Sequence, residues 1–212
     1  MRPKVCRETI RRLPIYLACL REIEASQGKG QIVSSETLAA LAGVKPTQLR
    51  KDLAYFGEFG RRGLGYDASE LAFEIKRILK IDRIVPMILI GMGSLGTAFA
   101  RFIITRANLE KDYPFRIQAI FDKDPHKTGT EFMGVRIYHI DDLKHMIQTL
   151  NPIIAVVAVP SQVSEPIIAF LCDHEVKAIL NFAAPPTKIK PTKTIIHNVD
   201  LGAELEFLSY YT

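Results

Sequence analysis

The sequence predicts an α/β fold in two domains with a short helix at the C-terminal end, and three observations carry that reading. Residues 1–80 hold 15 basic and 9 acidic side chains among short amphipathic segments, whereas residues 81–212 hold 13 and 14. An apolar run, Val85-Pro86-Met87-Ile88-Leu89-Ile90, opens straight into Gly91-Met92-Gly93-Ser94-Leu95-Gly96. Beyond it, near-continuous apolar runs alternate with helical patterns, as in a parallel sheet covered on both faces. The first observation points to a winged helix-turn-helix module, and the other two to a Rossmann-like parallel-sheet domain.

In the front module, Leu13, Tyr16, Leu17, Leu20 and Ile23 recur at helical spacing. They predict an amphipathic helix over 13–25 with Pro14 in its first turn, where no amide donor is missed. Ser34 offers a cap and Glu36 a first-turn acid to a second helix carrying Leu38, Leu41 and Val44. Ala42-Gly43-Val44 is a tight turn, and Pro46 starts a third helix with Leu49, Leu53 and Phe56 inside. Its outer positions include Thr47, Gln48, Arg50, Lys51 and Tyr55. Glutamine can read adenine with two hydrogen bonds, arginine and lysine can take guanine or phosphate, and tyrosine can anchor on the backbone. An ordinary solvated helix face has the same composition, so the next segment decides. Gly57, Gly60, Gly63 and Gly65 punctuate a short hairpin, and its Arg61 and Arg62 suit a narrow minor groove, as the wing of a winged helix does. Asp67 with Glu70 forms a capping box for a linker helix to about Lys80.

The second domain opens on the glycine loop. Gly91 makes the turn, Gly93 lets backbone approach a pyrophosphate, and Gly96 lets the following helix pack on the strand. That helix, carrying Leu95, Ala98, Phe99, Phe102 and Ile103, aims its partly positive N-terminus at the phosphates. A second strand, Arg116 to Phe121, ends in Asp122. An acid there binds the hydroxyls of an adenine ribose and repels a 2′-phosphate, which favours NAD⁺ and NADH over their phosphorylated forms. Lys123 and Lys127 soften that preference.

Further strands are expected near 135–138, 153–159 and 178–182, with helices near 141–150 and up to His174. Ligands on such sheets lie beyond the strand C-termini, which brings Val159, Pro160, Asn181 and Phe182 beside the loop. The sheet is expected to end near Phe182. Asp200 then caps a last helix with Leu201, Leu205 and Leu208 on one face. Alone it would be marginal, so it docks on its own sheet or on a second subunit. Two recognition helices reading a palindrome favour the second. The expected domains are 1–80, 81–199 and 200–212.

Three cysteines without a CxxC, and five histidines without metal spacing, argue against a disulfide framework or a metal centre. Cys19 reads as packing. No stretch reads as a membrane span or signal peptide, so a soluble cytoplasmic protein is expected. About thirty residues follow the sheet, too few for a substrate domain with an acid/base, and no catalytic residue is assigned. The nucleotide therefore reads as a signal and not a reagent. A DNA-binding head on an NAD-linked enzyme is one rival, and a CoA-binding module is another.

Several separated segments also resemble the Rex family of bacterial redox-sensing repressors, over essentially the whole chain. They are Arg12-Leu13-Pro14-Ile15-Tyr16-Leu17, Gln48-Leu49-Arg50-Lys51-Asp52-Leu53-Ala54-Tyr55-Phe56-Gly57 and Arg62-Gly63-Leu64-Gly65-Tyr66. The glycine loop, Phe121-Asp122-Lys123-Asp124-Pro125, Asn181-Phe182-Ala183 and Asn198-Val199-Asp200-Leu201 complete the set. The resemblance implies a homodimer with exchanged C-terminal helices that binds palindromic operators. It would block genes for NADH reoxidation and fermentation, and release duplex when NADH binds. Phe102, Pro160, Phe182 and Leu201 are expected to line a pocket for the neutral reduced ring, since burying an unpaired cation is costly. In some relatives an arginine and a tyrosine contact the aspartate matching Asp200. Here Ala18 and Phe102 stand in those places, with Arg21 nearby.

Overall fold

In the computed structural model, which describes residues 5–61, 63–184, 186–190 and 193–212, the chain divides into two compact units between Arg83 and Ile84. The first unit opens with helix α1, Arg7–Gln27, whose Leu13, Tyr16, Leu17, Leu20 and Ile23 are buried along one stripe. It begins six residues earlier than the apolar pattern implies, so Pro14 lies inside the helix and not in its first turn. The apolar stripe is silent over the early residues because a polar anchor, Thr9 and Arg12 on Asp52, holds them there.

Strand β1, Ile32–Val33, leads to α2, Ser35–Leu41, where Ser34 Oγ accepts the Thr37 amide at 3.0 Å as a cap. Val44 falls in the turn beyond this helix, and Leu41 is exposed. Helix α3, Pro46–Ala54, starts on proline and buries Leu49 and Leu53. The glycine hairpin closes through one antiparallel bridge between Arg61 and Gly65. At its base β2, Tyr66–Asp67, pairs antiparallel with β1. Asp67 then caps α4, Ala68–Ile78, accepting the amides of Ser69 and Glu70 at 2.9 and 3.0 Å. Apolar faces of α1 through α4 close over one core with Tyr66 and Val33.

The second unit is a seven-stranded sheet. Strand β3, Val85–Ile90, feeds α5, Ser94–Leu109, and β4 is Phe115–Asp122. A two-residue β5, Glu131–Phe132, folds back antiparallel on β6, Val135–His139. A 3₁₀ turn at Ile140–Asp142 leads into α6, Leu143–Leu150. Then come β7, Ile154–Val157, α7, Ser161–Asp173, and β8, Ala178–Asn181. The sheet does not end there. Strand β9, Ile195–Asn198, pairs parallel with β8, and α8, Leu201–Ser209, follows. Its half-exposed alternation is weak in sequence, and only pairing with β8 makes it a strand.

The strand order is β5-β6-β4-β3-β7-β8-β9, parallel except for β5. Order reverses between β3 and β7, which opens a crevice at their C-terminal ends. Two apolar cores cover the faces, one under α6 and α7 and the other under α5. Among the described residues no helix is long and apolar enough to cross a membrane, and no group of three or more His, Cys, Asp or Glu could hold a metal ion. Cys19 is buried, and burial pushes its thiol up from the ordinary range, consistent with packing.

Candidate functional site

The front unit places Thr47, Lys51 and Tyr55 on the exposed side of α3, with Arg61 exposed in the hairpin. Arg62 lies outside the described residues. Gln48 is half-buried, and its Nε2 donates to Asp52 Oδ1 at 2.8 Å along α3. Arg50 is exposed but held: Nη1 donates to Ser35 Oγ at 2.6 Å and to Glu36 Oε1 at 3.1 Å. A groove of about 830 Å³ runs between the start of α2, α3 and the glycine hairpin, with Glu36, Arg50, Arg61 and Tyr66 on its walls.

Asp52 is fully buried, and sequence reasoning assigned it no role. Thr9 Oγ1 donates to it at 2.9 Å, Tyr16 Oη at 2.7 Å, and Arg12 grips both oxygens through Nε at 2.6 Å and Nη2 at 2.8 Å. With Gln48 this makes five hydrogen bonds on one carboxylate. The signal was present: Asp52 sits at helical spacing with Leu49, Leu53 and Phe56, the inner face. Burial pushes this carboxyl up, and the bonds from Arg12, Tyr16, Gln48 and Thr9 outweigh it, leaving a pKa of about 2. Arg12 is raised in turn, first by its bond to Asp52, and Tyr16 is raised by burial and then by the same partner. The network ties α3 to α1 at a fixed angle.

In the second unit the glycine loop does two different things. A Cβ on Gly91 would sit 2.4 Å from the Ala158 carbonyl oxygen, and one on Gly96 only 1.9 Å from that of Gly91. Both are glycine because the fold leaves no room. A Cβ on Gly93 would meet nothing within 4 Å. Gly93 is also the N-cap of α5, and it brings no side-chain cap. Thr97 makes the first bond back, to the Gly93 carbonyl at 2.9 Å, so helical geometry leaves the first-turn amides of Ser94, Leu95 and Gly96 without helical partners.

Gly93 opens onto a cleft of about 580 Å³ beyond the ends of β3 and β7. Asp122, Lys123, Lys127, Val159 and Pro160 share its lining. Asp122 Oδ2 accepts the Met92 amide at 2.5 Å and Oδ1 that of Asp124 at 2.8 Å. A carboxylate has about four acceptor positions, so roughly two remain. Lys127 Nζ reaches the Met92 carbonyl at 3.1 Å and Asp124 at 3.5 Å, which makes it a brace on the loop and not merely a solvated lysine.

The residues expected around the reduced ring stand in different surroundings. Pro160 lines the cleft, whereas Phe182 packs edge-on to Phe99, 5.9 Å between centroids, in the core under α5. Phe102, on α5, is 55% exposed, with Arg106 over its ring. Leu201 is exposed as well. Asn181 is fully buried and its amide is committed to Asn198 and to both backbone groups of Ala183, which makes it a turn-former. Asp200 caps α8 through the amides of Gly202 and Ala203 at 3.0 and 3.2 Å. Ala18 is exposed on α1.

Family comparison matches residues 4–54 to the model of a putative DNA-binding protein N-terminus, and residues 82–185 to that of a CoA binding domain. The redox-sensing transcriptional repressor Rex of Natranaerobius thermophilus is 37% identical over 207 residues, covering 95% of this chain and 89% of that protein. A crystal structure of RSP in complex with β-NAD⁺ and operator DNA matches with a TM-score of 0.88 and 32% identity, covering 98% of this chain and 92% of that one. RSP in complex with β-NADH matches at 0.83 and 30%, covering 98% and 93%.

The Asp52 network generates an acid-stability prediction. Its folded pKa lies below the ordinary carboxyl value of 3.8, so its contribution is complete above about pH 4 and is lost as pH falls toward about 2. Asp52→Asn should therefore lower the stability of the front unit at pH 7 by about 2 kcal/mol, with the difference vanishing near pH 2. Urea unfolding followed by circular dichroism across that range checks it; a deficit independent of pH would contradict the assignment.

Proposed function

Because the chain belongs to the Rex family of redox-sensing transcriptional repressors, we propose that its two units divide the labour of one sensor, the front unit holding operator DNA and the second reading the coenzyme. The protein is a DNA-binding repressor that senses NADH against NAD⁺, and not an enzyme. The observation that carries the assignment of the site is Gly93. Nothing in the fold demands glycine there, yet it caps a helix N-terminus that faces the cleft beside a carboxylate. A missing side chain at that point is explained by close approach of a ligand's phosphates.

On this reading the unpartnered amides of Ser94, Leu95 and Gly96 at the N-terminus of α5 hold the pyrophosphate, with the Gly91–Gly93 turn letting it approach. Asp122 receives the adenine-ribose hydroxyls on its spare lone pairs, while its bonds to Met92 and Asp124 keep it oriented. Lys127 holds the loop against it, Lys123 stands at the rim, and Val159 and Pro160 supply apolar wall. Thr47, Arg50, Lys51, Tyr55, Arg61 and Arg62 contact the duplex, and Gln48 steadies the Asp52 carboxylate from within α3.

The reduced-ring end of the site is completed in a homodimer. Helix α8 buries none of its residues, and Leu201, Leu205, Phe207 and Leu208 are more than half exposed. Fully burying one such side chain contributes about 1.5–3 kcal/mol, so leaving four in water is a large cost that a second copy removes. The exposed Phe102 and Leu201 then come to lie in an interface, where a neutral dihydronicotinamide is favoured over the cationic ring because an unpaired buried charge is costly. Coenzyme control requires unequal affinity for the DNA-competent and DNA-incompetent states. Driving the pair from 1:99 to 99:1 takes about 10⁴-fold preference, or ~5.5 kcal/mol, shared between two sites.

Gly93→Leu should stay folded and hold an operator duplex, selected from a random pool by the unaltered chain, within about twofold of normal. It should no longer release that duplex when NADH is added, and CoA should release neither protein. Release of the variant by NADH at ordinary concentrations would remove the loop from the site. For the dimer, sedimentation should give the mass of two chains for the full protein and of one chain after truncation before Asp200. An unchanged mass on truncation would show that α8 is not the dimer contact.

A further inference from the structure

Arg50 is braced. Its Nη1 donates to Ser35 Oγ and Glu36 Oε1, and Ser35 Oγ in turn donates to the Glu36 carboxylate at 3.2 Å. Three side chains from two helices thus close a ring at the start of α2. Among the described residues, Arg50 Nε and Nη2 carry no bond. The carboxyl of Glu36 is held below its ordinary range, first by its own backbone amide and then by Arg50 and Ser35, so it stays charged.

Stability does not explain this arrangement. Arg50 is 49% exposed and Glu36 67%, and ion pairs at such exposure contribute little to folding. Electrostatics makes it costly once DNA is near, because a carboxylate on the duplex-facing groove meets phosphates of like charge. It is tolerable only if it does something there. A loose arginine loses rotamer freedom on docking and takes whichever phosphate it meets; a held one has lost that freedom already and presents a fixed fork. The unspent Nε and Nη2 are two donors in that fork, the set that grips guanine O6 and N7.

We infer that Glu36, with Ser35, is a positioning residue for Arg50 that sets the sequence preference of the recognition helix without itself contacting DNA. This rests on the DNA-binding reading above. Arg50 is then the base-reading cation of α3, and the exposed Lys51 next to it, without such a brace among the described residues, serves the phosphates.

The test uses the full-length protein, the duplex selected from a random pool and a scrambled duplex of equal composition. Glu36→Gln should leave the thermal midpoint and NADH affinity unchanged. It should reduce the ratio of affinities for selected over scrambled duplex about tenfold. Binding to the scrambled duplex should tighten, with a salt slope steeper by about one, because the freed Arg50 can take a phosphate. In an Arg50→Ala background the same substitution should change the ratio less than about twofold, since Glu36 acts through Arg50. An unchanged ratio for Glu36→Gln overturns the inference, as does an equal drop in the Arg50→Ala background. Failure of the unaltered protein to prefer any duplex would remove the DNA-binding reading together with it.

Discussion

The second unit is organised around the contact between Gly96 and the Gly91 carbonyl, where a single added methyl group would stand 1.9 Å from oxygen. That approach draws α5 down onto the end of β3, so its unpartnered first-turn amides face the crevice where strand order reverses. The remaining parts follow from the topology. Strand β4, beside β3, ends at Asp122, and the chain leaving β7 supplies Val159 and Pro160. Anion-binding amides, a ribose acceptor and apolar wall therefore converge without any one of them being placed independently.

The front unit is organised by polar and not steric means. Taking a carboxylate out of water is expensive, by several kcal/mol even after relaxation, and an apolar residue at Asp52 would avoid that cost. What an apolar residue could not do is specify direction. Four hydrogen bonds from Thr9, Arg12 and Tyr16 reach one side chain and fix α3 against α1, and a fifth from Gln48 completes the carboxylate's shell from within α3. A helix that must present side chains to base edges needs that fixed orientation more than it needs the last increment of stability.

Local chemistry explains what could be read from the sequence. Ser34 and Asp67 cap the helices they precede, the apolar runs at 85–90 and 154–157 are strands, and the glycine loop sits between strand and helix. Each depends on neighbours a few residues away. The start of α1 depends on a partner 40 to 43 residues distant, and β9 on another strand. Phe102 follows Phe99 at a spacing that keeps both on one side of α5, yet it is exposed in a single chain, and no local pattern in the sequence says what covers it. Asp52 was readable in principle, as a charge on an apolar stripe, but its partners on α1 lie 36 to 43 residues earlier.

These two constraints make a sensor only if the coenzyme binds the states with and without DNA unequally. The most direct test holds total dinucleotide constant and varies the NADH/NAD⁺ ratio while the fraction of duplex bound is read by fluorescence anisotropy. The account predicts that bound duplex falls steeply as the reduced form comes to dominate. Binding that is the same at every ratio, and the same without dinucleotide, would contradict it.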